Sequence, residues 1–230
     1  NIWRCFSHWI GGMGVLVFIL TLLPLAGGYH MNLMKAESPG PSVGKLLPKV
    51  QATAKILYKI YIALTVVLII LLLLGGIPLY DSLCAAFGTA GTGGFGIKPD
   101  SMGSYSLYIQ SVITVFMILF GVNFNVYFLL LTKKFSQALK SEEVRCYFIV
   151  IIASALMITF NVRHLFNNVW EALQQSFFQV GSIITTTGYA TTDYNQWPAV
   201  SRTILVLLTF CGACAGSTGG GIKISRLLLL

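Results

Sequence analysis

Long stretches without a charged side chain constrain the fold of this chain more than any other feature. Five of these stretches lie at residues 5–34, 60–80, 101–132, 146–162 and 203–222. Each is close to or longer than the roughly 17–25 apolar residues that cross a bilayer as a helix. They predict an all-α polytopic membrane protein with five membrane-crossing helices, two of them incomplete at the chain ends. The first stretch is not a signal peptide, because the same pattern recurs downstream.

The formal charge of +8 is distributed unevenly between the loops. Lysine and arginine concentrate in three regions, 35–59, 133–145 and 223–226, which five crossings place on one side of the membrane. The loops on the other side balance basic against acidic residues. This asymmetry predicts that the Lys-rich loops are cytoplasmic and that the protein is a multi-pass protein of the cell membrane. It also accounts for the basic charge without a nucleic-acid partner.

Residues 56–214 contain an internal repeat of two units. Each unit has an apolar helix, a short mixed segment, a Gly/Thr-rich run and a second apolar helix. In unit one these segments are residues 56–77, 81–87, 88–96 and 105–131. In unit two they are residues 144–160, 171–177, 185–190 and 203–214. Gly94 and Gly188 align at a distance of 188 − 94 = 94 residues, and unit two has four extra residues, about one helical turn, before its Gly-run.

The short segments cannot span a bilayer, and irregular backbone at membrane depth survives only when it is buried in protein or lines a watery cavity. Each unit is therefore predicted to be a helix, a half-helix, a cavity-lining loop and a second helix. The predicted divisions are a truncated unit's second helix (1–24), a cytoplasmic loop (25–55), a complete pore unit (56–132), a second cytoplasmic loop (133–143) and a next pore unit (144–230).

The two Gly/Thr-rich runs have the composition of a cation selectivity filter. Rings of backbone carbonyls replace the water shell of a cation in such filters, and glycine permits the positive φ that turns successive carbonyls in one direction. The predicted filter residues are Thr92, Gly93, Gly94 and Phe95, and Thr186, Thr187, Gly188 and Tyr189. Residues 91–96 also satisfy G-x-G-x-x-G, but no strand precedes them, which excludes a dinucleotide site.

A second Gly-rich segment interrupts the last apolar stretch. We predict a flexible intramembrane loop formed by Gly216, Ser217, Thr218, Gly219, Gly220 and Gly221, with Lys223 at its cytoplasmic edge. The segment is no P-loop, because an apolar helix precedes it and no Gly-Lys-Ser/Thr ends it. Close helix packing of the GxxxG type remains the alternative interpretation.

Other candidate sites are weak. Cys211 and Cys214 lie on one helical face, but no histidine is near them and a four-ligand metal site is not in view. We predict no cofactor. An embedded enzyme would need carboxylates or metal ligands at mid-membrane, which the charge-free stretches argue against, and a purely structural subunit would not need two matched Thr/Gly loops.

Five motifs together resemble the Trk/Ktr/HKT superfamily of potassium transporters, and its TrkH-type branch most. They lie at residues 8–14, 36–41, 92–95, 186–193 and 214–223. The resemblance implies four pore units around a pseudo-fourfold axis, so that this chain is expected to be a fragment of the membrane subunit. It implies K⁺ uptake, with K⁺ held by the backbone carbonyls of Thr92, Gly93, Gly94, Thr186, Thr187 and Gly188. A sodium-permeable or sodium-coupled member is the alternative.

The resemblance also implies partners and regulation. The Gly-rich loop would act as an intramembrane gate, the subunit would form homodimers in the lipid membrane, and a cytosolic nucleotide-binding subunit would regulate it.

Overall fold

The computed structural model describes residues 1–12, 14, 50–139 and 141–228. Residue 13 and residues 15–24 of the predicted helix 1–24, most of the cytoplasmic loop 25–55 and the whole motif at 36–41 lie outside the described residues. Within these ranges every regular element is helical. The α-helices are α1 (Ile2–Gly12), α2 (Val50–Leu74), α3 (Leu79–Ala90), α4 (Leu107–Phe120), α5 (Phe124–Leu131), α6 (Phe135–Leu139), α7 (Glu142–Val162), α8 (Val169–Ile184), α9 (Ala199–Phe210) and α10 (Ile224–Leu227).

Two described helical segments are long and apolar enough to cross a membrane, Lys55–Leu74 and Glu142–Leu165. A third span exists if α4 and α5 count as one, since they are bent by 90° at the break between them. The predicted continuous helix over 105–131 is therefore wrong. The Asn123 side chain accepts the Asn125 amide and starts a new helix, and the Phe124 amide donates to Gly216 O at 3.0 Å.

The last long helix, α9, ends at Phe210, although the sequence predicted helix through Cys214. The Gly212 amide donates to Ile222 O at 2.7 Å, so the chain doubles back across itself. A Cβ at Gly212 would lie 2.1 Å from Gly220 O, and only glycine fits so close an approach. The Gly-rich loop occupies residues 211–223 and thus begins five residues before Gly216, the first residue predicted for it.

The half-helices are α3 and α8, with 12 and 16 residues. At 1.5 Å per residue they measure about 18 and 24 Å, less than the roughly 30 Å of a bilayer core. The predicted extra turn in unit two is confirmed as one more turn of α8. Asp81 and Glu171 lie in the first turns, where a carboxylate stabilises the positive end of the helix dipole.

Helix α1 docks on the first unit through aromatic and glycine contacts. Trp9 stacks on Tyr61 with ring centroids 5.6 Å apart, and Tyr61 Oη donates to Trp9 O at 2.8 Å. Trp9 Nε1 donates to Thr65 Oγ1 at 3.1 Å. On the other side a Cβ at Gly91 would lie 2.5 Å from His8 O, so α1 lies directly against the end of α3.

Each repeat unit has its own buried core. The first surrounds Tyr61 and Phe120, and the second surrounds Tyr147 and Leu205. Helices α4 and α8 contact each other between the two cores and hold the filter loops together.

Candidate selectivity filter and intramembrane loop

The two predicted filter loops have the same backbone conformation. Thr92 and Thr186 have φ of 51° and 57°, and Gly94 and Gly188 have φ of 64° and 89°. The positive φ of the two glycines was predicted. That of the threonines was not, because a β-branched residue with positive φ is rare.

The amides of both loops turn back toward their own half-helix. Gly93 and Gly94 both donate to Gly88 O, at 2.7 and 3.4 Å. The equivalent amides of the second loop donate to Ser182 O at 2.9 and 3.2 Å. Gly88 and Ser182 are also 182 − 88 = 94 residues apart, so the repeat extends to individual hydrogen bonds.

The carbonyls of residues 92–94 and 186–188 remain open for a ligand. No described residue donates a hydrogen bond to any of them. The next carbonyl in the second loop differs, since Tyr189 O accepts from Ser182 Oγ at 2.6 Å. The open carbonyls are therefore the ones predicted to hold K⁺. Helices α3 and α8 end just before these loops, so that the negative ends of their dipoles lie beside them.

The aromatic residues of the two loops anchor them. Phe95 lies under the Arg4 guanidinium at 3.9 Å and meets the His8 ring edge-on at 4.9 Å. Tyr189 is buried, and its hydroxyl donates to Ala85 O at 3.3 Å, across the boundary between the units. The side chain of Tyr189 thus fastens the second loop to α3.

The two loops are in direct contact, with different surroundings for their glycines. A Cβ at Gly94 would lie 2.0 Å from Thr187 O. A Cβ at Gly188 would meet nothing within 4 Å. Gly94 is therefore packed against the neighbouring loop, whereas Gly188 borders open space.

The Gly-rich loop is bonded to the broken helix of the first unit. The amide and hydroxyl of Thr218 both donate to Phe120 O, at 3.3 and 3.1 Å, and the Cys214 amide donates to Gly121 O at 3.1 Å. Ser217 Oγ donates within the loop, to Cys214 O at 2.6 Å. Two interrupted helices thus satisfy each other's free backbone groups, as membrane depth requires.

The same loop also touches both filter loops at equivalent positions. Thr92 Oγ1 donates to Thr218 O at 3.1 Å. The Gly220 amide donates to Thr186 Oγ1 at 2.7 Å. One strained threonine from each filter loop therefore bonds the Gly-rich loop. The sequence indicated nothing of these contacts, which join residues more than 30 positions apart.

Two charged side chains also bond the backbone of the Gly-rich loop. Glu143, in the first turn of α7, accepts the Ala215 amide at 2.6 Å, and Lys223 Nζ donates to Gly219 O. Glu143 is the last residue of the predicted cytoplasmic loop 133–143, and its contact with the Gly-rich loop was not recognised from the sequence.

A polar cluster lies in the segment that follows the first filter loop. Tyr105 Oη donates to Asp81 Oδ2 at 3.1 Å, and Lys98 Nζ lies 4.0 Å from the Tyr105 ring centre. The Ser104 hydroxyl donates to Asp100, which lowers the pKa of that carboxyl below its ordinary value. Asp100 is thus a charged hydrogen-bond acceptor a few residues beyond the first filter loop.

Family comparison places the chain among transport proteins. The profile of the family described as "TrkH: Cation transport protein" matches residues 1–230. The chain is 35% identical to "Trk system potassium uptake protein TrkH" of Salmonella typhimurium, over 99% of this chain and 48% of that protein. It is 32% identical to "Trk system potassium uptake protein TrkG" of Escherichia coli, with the same coverage. The chain thus spans about half the length of the curated relatives it matches.

A solved structure has a similar fold. The crystal structure of the potassium transporter TrkH from Vibrio parahaemolyticus matches with a TM-score of 0.80 and 30% identity, over 99% of this chain and 47% of that one. These comparisons confirm the resemblance that the motifs indicated, the all-α multi-pass membrane fold, and the prediction of a transport protein rather than an enzyme. The chain belongs to the TrkH family of cation transport proteins.

Proposed function

We propose that this chain supplies two filter loops of a K⁺ uptake pore in the cell membrane. The observation that carries the proposal is the matched pair of loops in which the carbonyls of residues 92–94 and 186–188 receive no hydrogen bond from described residues. The printed names of the relatives, which are potassium uptake proteins, supply the ion.

The physical chemistry of the loops suits a dehydrated monovalent cation. Backbone carbonyls replace the water shell of such an ion at little net cost. Because the amides of both loops are bonded to Gly88 O and Ser182 O, the peptide planes are held in one orientation. The two half-helix dipoles add negative potential on the side from which the loops start.

The Gly-rich loop is proposed to gate this pore. It bonds Thr92 and Thr186, the first residue of each filter loop, and so lies directly beneath them on the side of the half-helix ends. Gly216 and Gly221 have φ of 68° and 73°, which is left-handed backbone open to glycine without steric strain. A movement of the Gly-rich loop would open the proposed ion path and would require only the bonds to Thr92 and Thr186 and a few others to break.

Lipid is the proposed surrounding of the outer helix faces. Large apolar side chains are exposed on α7 and α9, among them Ile149, Phe160, Val200 and Phe210. Homodimer formation and control by a cytosolic nucleotide-binding subunit stay predictions, drawn from the resemblance alone.

The filter is tested by Gly188→Ser with Gly76→Ser as its matched control. Both glycines have strongly positive φ, 89° and 82°, and at both an added Cβ meets nothing within 4 Å. The two substitutions therefore impose the same backbone strain, but Gly76 lies in the turn before α3, outside the filter.

The measurement is the K⁺/Na⁺ permeability ratio of the full-length protein in planar bilayers. We expect Gly188→Ser to lower the ratio and Gly76→Ser to leave it unchanged. If both variants have the K⁺/Na⁺ permeability ratio of wild type, the assignment of these loops as the selectivity filter is refuted. A wild-type ratio that favours Na⁺ would support the sodium-permeable alternative.

A further inference from the structure

Behind the second filter loop, two glutamines are buried between the repeat units. Gln110 on α4 is 3% exposed and Gln175 on α8 is 5% exposed. Glutamine is rarely buried this deeply unless its amide is bonded. Neither residue belongs to the filter loops or to the Gly-rich loop.

The hydrogen bonds of Gln110 allow only one orientation of its side-chain amide. Its Nε2 group donates to the carbonyls of Met102, Gly103 and Tyr105, at 3.1, 3.2 and 3.1 Å. Carbonyl oxygens only accept, so the NH₂ group must face them and Gln110 Oε1 must face the other way. That oxygen accepts from Gln175 Nε2 at 3.1 Å.

The orientation of Gln110 also fixes that of Gln175, which bonds the chain just beyond the second filter loop. Since its nitrogen faces Gln110, Gln175 presents Oε1 to Thr191, whose hydroxyl donates to it. Thr191 lies three residues beyond Gly188. The preceding residue is held as well, because the Met102 amide donates to Ala190 O at 2.9 Å.

These bonds close into a ring that contains both repeat units. From Gln110 the ring runs through Met102 to Ala190, along the chain to Thr191, and back through Gln175. A buried polar network with every partner satisfied holds one geometry, whereas a broken one leaves costly unpaired groups. The ring therefore fixes the outer end of the second filter loop relative to α4 and α8.

We infer that Gln110, Gln175 and Thr191 are positioning residues that set the ion selectivity of the second filter loop through this ring. The inference rests on the proposed filter function. Selectivity depends on where the carbonyls of residues 186–188 lie, and the ring holds the chain three residues beyond them.

The chain offers a matched control next to Gln175. Gln174 also crosses from α8 to α4, where its Nε2 donates to Leu107 O at 2.8 Å and to Ser111 Oγ at 3.0 Å. Among the described residues, Gln174 has no hydrogen bond to the second filter loop or to the residues just beyond it. Gln175→Met and Gln174→Met thus remove similar helix-to-helix bonds, and only the first breaks the ring.

The test measures the K⁺/Na⁺ permeability ratio of the full-length protein from reversal potentials, which do not depend on how many molecules conduct. We expect Gln175→Met to lower the ratio about fivefold, the factor that corresponds to the net contribution of about 1 kcal/mol from one neutral hydrogen bond. Thr191→Val should lower the permeability ratio by a similar factor. The double variant of Gln175→Met and Thr191→Val should have the same ratio as either single variant, because each change alone already breaks the ring. Gln174→Met should keep the wild-type ratio.

Two results would overturn the inference. One is an unchanged ratio in Thr191→Val, which leaves both helices intact and remains measurable even if Gln175→Met fails to fold. The other is an equal loss in Gln174→Met, which would assign the effect to helix packing. Gly188→Ser is measured in parallel: if it lowers the ratio while the ring variants do not, only the ring inference fails, and if it does not, the filter itself is wrong.

Discussion

The bonds between the filter threonines and the Gly-rich loop make a quantitative prediction about gating. Valine has the β-branched shape of threonine without the hydroxyl, so Thr92→Val and Thr186→Val keep the backbone and its carbonyls. Thr92→Val removes the bond to Thr218 O, and Thr186→Val removes the acceptor of the Gly220 amide. In the proposed gate both bonds hold the loop in its closed position, so both variants should favour opening.

The size of the effect follows from the strength of one neutral hydrogen bond. A net contribution of about 1 kcal/mol corresponds to about a fivefold shift in the equilibrium between covered and open loop. If the two bonds act independently, the double variant should shift it about thirtyfold. Thr159→Val is the control, because the buried Thr159 hydroxyl donates to Ala155 O at 2.7 Å within α7, and in the part of the chain that the structure describes it has no hydrogen bond to the Gly-rich loop or to a filter residue.

The assay is open probability in single-channel recordings of the full-length protein, together with the K⁺/Na⁺ permeability ratio. We expect open probability to rise in both loop variants without a change in their permeability ratio, and we expect Thr159→Val to behave as wild type. If neither variant opens more often than wild type, the bonds do not hold a closed gate, and the proposed role of the loop is wrong.

Two further predictions concern packing and topology. Gly94→Ala should prevent stable folding, because its Cβ would lie 2.0 Å from Thr187 O. Gly188→Ala has open space and bears only the backbone strain of about 1–2 kcal/mol. Thermal unfolding in detergent should therefore separate the two, and equal stability would contradict the contact between the loops. Gln137 and Gln196 are both exposed, and the charge asymmetry predicts opposite sides of the membrane for them. In a background without other cysteines, an impermeant thiol reagent added to intact cells should label Gln196→Cys and spare Gln137→Cys, and the reverse pattern would invert the topology.

The filter loops could be located from the sequence because they occur twice in matching frames. The repeat aligned Gly94 with Gly188 and gave the extra turn of α8. The conformation of Thr92 and Thr186 could not be predicted, since threonine disfavours positive φ in isolation. Contacts with a loop more than 30 residues away hold it there.

The break between α4 and α5 shows why an apolar stretch does not define a continuous helix. Residues 101–132 contain no charge, and from residue 115 to residue 131 only Asn123 and Asn125 interrupt the apolar run. The free carbonyls of Phe120 and Gly121 are satisfied by amides of the Gly-rich loop, from the next unit. A partner so distant in sequence leaves no local signal.

The two adjacent glutamines of α8 illustrate the same limit. Gln174 and Gln175 are consecutive residues of the same type, and the sequence alone did not indicate which of them is buried. Packing against α4 gives Gln175 its partner Gln110, and the chain beyond the second filter loop gives it Thr191.

The most direct test of the filter is anomalous X-ray scattering from Tl⁺ or Rb⁺ in crystals of the full-length protein. We expect ion peaks in contact with the carbonyl oxygens of residues 92–94 and 186–188, and we expect excess K⁺ to abolish them. Ordered ion peaks elsewhere in the molecule, with none at these carbonyls, would contradict the assignment of the two loops as a K⁺ filter.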